Sequence, residues 1–362
     1  LAQARLRIGV IGCGLIAQVM HLHYLRELSD RFEVAALCDL SRMVVDRVGE
    51  AYGVDRRFTD WTELLREPLD AVMVLSSGSH EPMVVAAAQA GRHVFIEKPI
   101  ALSEAEGQSM IAAGKKAGVR LMVGYMKRYD PAVERMAEEL RGRSEMRFAR
   151  STTAEYPMKW YVAHYPIVRG TDIAASTIAA LEADDEARVT AAIDISDPML
   201  RYAYRHSLLD SMIHDINLMR SLLGEPKRLR FADVDRSAVS LFLEFPQTAA
   251  AMHWVNLTDG VARYQQEFAF FSPLRRATLI FPSPFLRSAP TELLLEGGSE
   301  ESPRSWRTVE TESFEEAFKR ELLEFYACVT ENREPRTTAT DAVRDVALCQ
   351  AIIKQHLAAK GG

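Results

Sequence analysis

Through the first third of the chain, short apolar β-branched runs alternate with longer amphipathic stretches. Segments 7–11, 32–38, 71–75, 94–96 and 121–123 read as strands buried on both faces. Between them, the stretch running to about Leu28 and segments near 41–52, 60–66, 79–90 and 103–118 read as helices. Ser103 with Glu106 three residues later is a capping-box signature for the last of these. Strands and helices in this alternation predict an α/β domain with a doubly wound parallel sheet, assigned to residues 1–128. The pattern changes after Asp130-Pro131. Strands at 147–149, 228–234, 238–245, 249–255, 264–271, 277–281 and 292–295 are joined by short turns such as Thr258-Asp259-Gly260, which predicts an antiparallel meander. Helices over about 315–330 and 340–358 close the chain. Residues 129–362 are therefore expected to form an α+β domain with an open, mostly antiparallel sheet.

Composition narrows the function classes. The chain has 362 residues, 48% hydrophobic and 26% charged, which is ordinary globular material long enough for two domains. A net charge of -6 argues against a nucleic-acid partner. No stretch is apolar enough to span a membrane. The N-terminal residues Leu1 to Arg7 carry no apolar leader core, and the glycine-rich tail Lys360-Gly361-Gly362 reads as disordered. Cys13, Cys38, Cys328 and Cys349 show neither metal-type nor disulfide-framework spacing, so no metal site and a cytoplasmic location are expected.

Gly12-Cys13-Gly14-Leu15-Ile16-Ala17 follows the first strand and opens the first helix. In a G-x-G-x-x-A turn the first glycine makes the tight bend, the second lets a pyrophosphate approach the backbone, and the small third residue packs helix on strand. The helix N-terminus adds free N–H groups and a positive dipole end. Gly12, Gly14, Leu15 and Ile16 are thus candidate contacts of a dinucleotide in a Rossmann domain. Asp39 ends the second strand, where a carboxylate accepts from both ribose hydroxyls and repels a 2′-phosphate; this favours NAD. Ser41 and Arg42 follow at once and suit a 2′-phosphate, which leaves NADP open.

Two further constellations carry chemistry. Glu97-Lys98-Pro99 lies behind the strand 94–96, at the sheet edge where open α/β sheets bind ligands. A partly desolvated lysine there can act as acid or base near neutral pH, and the same residues also suit a strand-end salt bridge. Leu209, Met212, Ile213, Ile216 and Met219 form the buried stripe of a helix, and beside it Asp210 and His214 stand four residues apart. A carboxylate one turn before an imidazole can fix its tautomer and stabilise its protonated form.

These stretches together resemble the glucose–fructose oxidoreductase/inositol dehydrogenase (Gfo/Idh/MocA) family. The matching pieces are 8–17, Ala90-Gly91-Arg92-His93-Val94-Phe95-Ile96-Glu97-Lys98-Pro99, Lys127-Arg128-Tyr129-Asp130-Pro131, and Asp210-x-x-x-His214-Asp215 followed by Leu222-Leu223-Gly224-Glu225-Pro226. The resemblance implies a nicotinamide whose substrate side is lined by Lys98, Asp210 and His214. It implies His214 as the base oriented by Asp210 with Lys98 on the same oxygen, the roles of Lys98 and His214 being exchangeable. It also places Glu97 near the nicotinamide ribose, makes the Lys98–Pro99 bond cis, and brings Arg128 to the cofactor. Ser76 and Ser77 stand where many members have Thr-Pro, and their hydroxyls still suit the cofactor; His80 matches a frequent family histidine or is a helix-start residue with no chemical role. A dimer or tetramer is expected from the same source.

The chain departs from that pattern twice. His206-Ser207-Leu208-Leu209 stands where glycines usually precede the Asp-x-x-x-His helix, and the stretch of about 156–206 is longer than usual. Within it Tyr156, Trp160 and Arg169 are candidate substrate contacts, aromatic faces suiting sugar rings and the cation an anionic group; the alternative is an insertion that packs on its own domain or on a partner subunit. The expected activity is hydride transfer between NAD(P) and a secondary hydroxyl or ketone of a sugar, sugar derivative or cyclitol. Two alternatives use the same equipment: an enzyme that oxidises, eliminates a glycosidic substituent and returns the hydride, and a non-catalytic NAD-binding regulator.

Overall fold

The computed structural model describes residues 5–141, 145–261 and 263–360. Leu1 to Ala4 and the final Gly361-Gly362, on which two sequence expectations fall, lie outside them. Six strands, β1 (Leu6–Ile11), β2 (Phe32–Cys38), β3 (Arg57–Phe58), β4 (Ala71–Val74), β5 (His93–Glu97) and β6 (Leu121–Gly124), form one parallel sheet in the order β3-β2-β1-β4-β5-β6. The strand order reverses between β1 and β4, which is where doubly wound sheets open a crevice for ligands. All side chains of β4 are buried and only one residue of β1 is not, as expected for strands covered on both faces.

Local sequence explains where the helices start and stop. Helix α1 (Leu22–Glu27) is preceded by a π-helical turn, Ala17–His21. Ser41 caps α2 (Arg42–Tyr52) by accepting from the Val44 N–H at 3.0 Å, and Gly53 ends it in the left-handed region at φ 71°. Helices α3 (Trp61–Leu64) and α4 (Glu81–Gln89) follow. The capping signature at Ser103 holds: its hydroxyl accepts from Glu106 N–H at 3.2 Å and starts α5 (Glu104–Ala117).

A second sheet has eight strands in the order β14-β13-β12-β11-β7-β10-β9-β8. They are β7 (Phe148–Glu155), β8 (Arg228–Val234), β9 (Ala238–Glu244), β10 (Ala249–Asn256), β11 (Gln265–Phe271), β12 (Arg275–Ile280), β13 (Glu292–Gly298) and β14 (Ser305–Thr311). Only β7 and β10 pair in parallel. Strand β7 runs well beyond the expected 147–149, because its Ser151 and Thr153 are polar yet buried, Thr153 donating its hydroxyl to the buried Asp215. Strand β14 was invisible to patterning: six of its seven residues are exposed on a sheet edge, so no apolar alternation marks it.

The remaining helices are α6 (Pro131–Leu140), α7 (Lys159–Val162), α8 (Ala175–Ile193), α9 (Pro198–Tyr202), α10 (Ile213–Leu223), α11 (Ala317–Thr330) and α12 (Ala339–Lys360). The stretch Ala203–Met212 before α10 is wound as a π-helix, and a 3-10 turn, Met126–Tyr129, precedes α6.

Two compact units result, and their boundaries differ from a single cut at 128/129. The first comprises 1–125, 165–194 and 318–347; the second comprises 126–164, 195–317 and 348–362. Part of the long stretch at 156–206 thus belongs with the parallel sheet, and contacts account for this. Gln18 holds Val168 through both groups of its amide, donating to its carbonyl at 2.9 Å and accepting from its N–H at 2.8 Å. Near the C-terminus, Thr337 caps the outer edge of β6: its carbonyl accepts from Val123 N–H at 2.9 Å and its hydroxyl donates to Val123 O at 2.7 Å.

Candidate active site

The first unit assembles most of the candidate cofactor residues at the carboxyl edge of the parallel sheet. Gly12 adopts φ +94°, and a Cβ there would lie 2.5 Å from Ser76 N and 2.7 Å from Leu75 C, so only glycine fits. A Cβ on Gly14 would meet nothing within 4 Å, leaving open space over the helix start at the half-exposed Leu15 and Ile16. Asp39 ties the turn to the second strand: it accepts from Cys13 N–H at 2.9 Å and from Ser41 N–H at 2.9 Å. A glycine-lined gap, a helix N-terminus and a carboxylate one strand away fit the pyrophosphate and ribose of a dinucleotide.

Around that turn, Ser76 is half-buried and Ser77 exposed in the loop after β4. His80 is buried, and its Nε2 bonds the Ser76 carbonyl at 2.6 Å, so its ring closes the loop. Burial lowers its pKa and keeps the imidazole neutral. Arg42 turns towards Asp46 at 3.7 Å and the Arg57 carbonyl at 3.4 Å.

Glu97 is buried and uses both oxygens. One lies 2.6 Å from His21 Nε2 and the other accepts from the backbone N–H of Lys98 at 3.0 Å. Lys98 is half-buried at the end of β5, and the Lys98–Pro99 bond is cis. The rings of Phe95 and Phe318 stand edge-on to His21 at 5.3 and 5.5 Å. His21, Glu97 and the buried Glu321 bring a nitrogen and carboxylate oxygens within 4.8 Å of one another. His21 and Glu97 are joined by the 2.6 Å hydrogen bond within this cluster.

The inserted segment contributes to this edge. Asp172 accepts from Met43 N–H at 2.9 Å and takes a short hydrogen bond from the Ser41 hydroxyl, so it sits at the N-terminus of α2. Asp185 accepts from Ser79 N–H at 3.3 Å, and Arg188 reaches Glu106 at 2.7 Å. Arg169 is exposed on the same segment.

In the second unit, Asp210 and His214 straddle the change from π-helix to α10, Asp210 exposed and His214 half-buried. Leu209, Met212, Ile213, Ile216 and Met219 are all buried, as the stripe required. The polar focus here is Asp215, which sequence reasoning quoted but gave no role. It is fully buried and accepts from the Thr153 hydroxyl at 2.6 Å and from the Gln266 amide. Thr153 and Gln266 are cross-strand partners of β7 and β11, so register delivers both donors to one carboxylate. Burial pushes the Asp215 pKa up to about 6, opposed by those hydrogen bonds and the Lys127 cation. An acidic residue next to a suspected catalytic histidine was the one available signal.

Arg128 is half-buried in the 3-10 turn. Trp160 is 62% exposed, with Lys159 Nζ 5.0 Å from its ring centre. Tyr156, expected to meet substrate, is a core residue: its hydroxyl bonds Ser283 at 2.7 Å and its ring packs edge-on against Tyr161 and Tyr264. Its aromatic neighbourhood, and not an open cleft, is what the sequence signal reported.

Residues 6–125 match the model of the Gfo/Idh/MocA oxidoreductase family, NAD-binding Rossmann fold. The match spans the first parallel sheet and its glycine turn, so this part of the chain is similar to that family's NAD-binding domain. The chain is 28% identical over 375 residues to D-apiose dehydrogenase of Paraburkholderia graminis, covering 99% of this chain and 88% of that protein. It is 30% identical over 230 residues to myo-inositol 2-dehydrogenase of Thermotoga maritima, covering 63% of this chain and 58% of that protein. A solved 3-ketoreductase from Actinomadura kijaniata in complex with NADP and TDP-benzene superposes with a TM-score of 0.73 at 20% identity, over 97% of this chain and 98% of that one. At that identity the superposition speaks for the fold. Residues 6–125 thus match an NAD-binding Rossmann fold, and the relatives the chain resembles are named dehydrogenases and reductases.

Proposed function

We propose that the protein transfers a hydride between NAD and one secondary hydroxyl, or its ketone, of a sugar, sugar derivative or cyclitol. The observation that carries this is the turn at Gly12 and Gly14, with its open approach and with Asp39 bound to Cys13 N–H. Gly12, Gly14, Leu15, Ile16 and Asp39 hold the dinucleotide; Ser76, Ser77, Glu97 and Arg128 belong to its nicotinamide side. A nicotinamide held there would supply the hydride acceptor for carbinol oxidation, or the hydride donor for the reverse reduction. His214 takes the hydroxyl proton, and Asp210 fixes its orientation. Lys98 donates a hydrogen bond to the same oxygen and stabilises it as negative charge develops. Glu97 supports this by gripping the Lys98 backbone N–H while its other oxygen is held by His21.

Two features support the setting. Cys13, Cys38, Cys328 and Cys349 are all buried free thiols, which suits a reducing cytoplasm. No helix among the described residues is long and apolar enough to cross a membrane. The less covered face of the second sheet carries Phe148 against Phe242 and Phe271 at 6.3 and 6.4 Å, with Phe231 49% exposed beside them; this aromatic face suits a second copy of the chain.

The decisive experiment is Lys98→Met. Turnover on a screened polyol is expected to fall about a hundredfold while NADH affinity stays within a few-fold of the parent. Undiminished turnover would remove Lys98 from the chemistry.

A further inference from the structure

We propose that Asp172, supplied by the inserted segment, is a cofactor-specificity residue that fills the anion position beside the adenosine ribose and so selects NAD(H) over NADP(H). The inference rests on the reading that the glycine turn binds a nicotinamide dinucleotide. It adds to Asp39 a determinant from a distant part of the chain, 133 residues away in sequence (172 − 39).

A 2′-phosphate needs hydrogen-bond donors just after the second strand of the domain, and this chain has them. They are the hydroxyl of Ser41 and the N–H groups of the first turn of α2, an 11-residue helix whose dipole favours an anion at that end. Both kinds of donor are already committed to Asp172: one carboxylate oxygen takes the Ser41 hydroxyl and the other takes Met43 N–H at 2.9 Å. Val44 N–H is committed too, to Ser41 Oγ at 3.0 Å. Arg42, next in sequence to Ser41, is drawn to Asp46 at 3.7 Å. A 2′-phosphate arriving here would meet two carboxylates, Asp39 and Asp172, and would have to displace one of them. A 2′-hydroxyl brings no charge and needs only an acceptor, which Asp39 provides.

Asp172 is held by more than this contact. Val168 is pinned by Gln18, and Asp185 and Arg188 anchor the far end of the segment to Ser79 and Glu106. The approach between is close: a Cβ on Gly170 would lie 2.5 Å from Ser41 Oγ, so glycine is what lets the segment come down onto the α2 terminus. The hydrogen bonds from Ser41 and Met43 lower the Asp172 pKa, which keeps it anionic at neutral pH.

The test is a pair of direct binding titrations, NADH and NADPH, on the parent protein, Asp172→Asn and Asp172→Ala. Asp172 is exposed, so both variants are expected to fold, and a thermal melt checks this. The parent should prefer NADH, and removing the charge should shift the NADPH-to-NADH affinity ratio towards NADPH by about tenfold. An unchanged ratio in both variants would overturn the proposal, as would equal affinities in the parent. Binding of neither dinucleotide to the folded parent would be a different failure, that of the cofactor reading itself.

Discussion

The glycine turn of the first unit and the buried acid of the second are both polar places at the edge of an apolar core, built by opposite means. At Gly12 and Gly14 the functional groups are backbone N–H groups, and the side chains matter by being absent. At Asp215 the backbone is ordinary helix, and everything depends on side chains that register brings from two strands. The first design costs conformational freedom but leaves no charge in the interior. The second places a carboxylate where it resists ionising, with a pKa pushed to about 6.

Substitution at each place sharpens the contrast. The largest effect is expected at Gly12→Ala, where a left-handed backbone and a clash with immobile main-chain atoms together cost about 3–5 kcal/mol. A denaturation curve, or loss of soluble protein, reads this directly. Next is Asp215→Asn. The folded pKa of Asp215 lies above its ordinary value of 3.8, so between about pH 4 and pH 6 the native state keeps a proton that the unfolded chain has released. Stability contributed by this group therefore falls as pH rises through that window, by up to about 3 kcal/mol. The amide variant should be more stable than the parent at pH 8 and lose that advantage at pH 4, in thermal melts at the two pH values. If the parent shows no such window, the acid is better satisfied than its burial implies. The smallest effect on stability is expected at Gly14→Ala, under about 1 kcal/mol because the added methyl meets no protein atom. Its cost should appear in nucleotide binding, weakened roughly tenfold in a fluorescence titration as the methyl crowds the pyrophosphate.

The same contrast explains what sequence reading could reach. The parallel sheet was legible because its strands are apolar on both faces and its turn uses glycines, so each signal is local. Capping at Ser103 was equally local. The antiparallel sheet was legible strand by strand, yet β14 escaped, since an edge strand bearing Trp306 and Val309 in the open has no inward face to mark it. Asp215, Gln18 and Asp172 escaped for a different reason. Each has partners between 51 and 150 residues away, and nothing in an aspartate or glutamine announces a partner at such distance. Tyr156 shows the converse error, an aromatic residue suited to a sugar face that is consumed by its own core.

The outer edge of β6 carries a further consequence. Its Val123 pairs with Thr337, Met122 bridges to Thr338, and Arg120 donates to the Asn332 carbonyl at 2.8 Å. During synthesis the nucleotide-binding unit therefore stays unfinished until more than two hundred further residues have left the ribosome (|i−j| = 214 from Val123 to Thr337). Until then β6 offers a bare strand edge, open to mispairing with another nascent chain. A fragment cut at residue 128 would keep the glycine turn but never acquire that seal, so the domain a sequence editor would clone is not the one the ribosome completes.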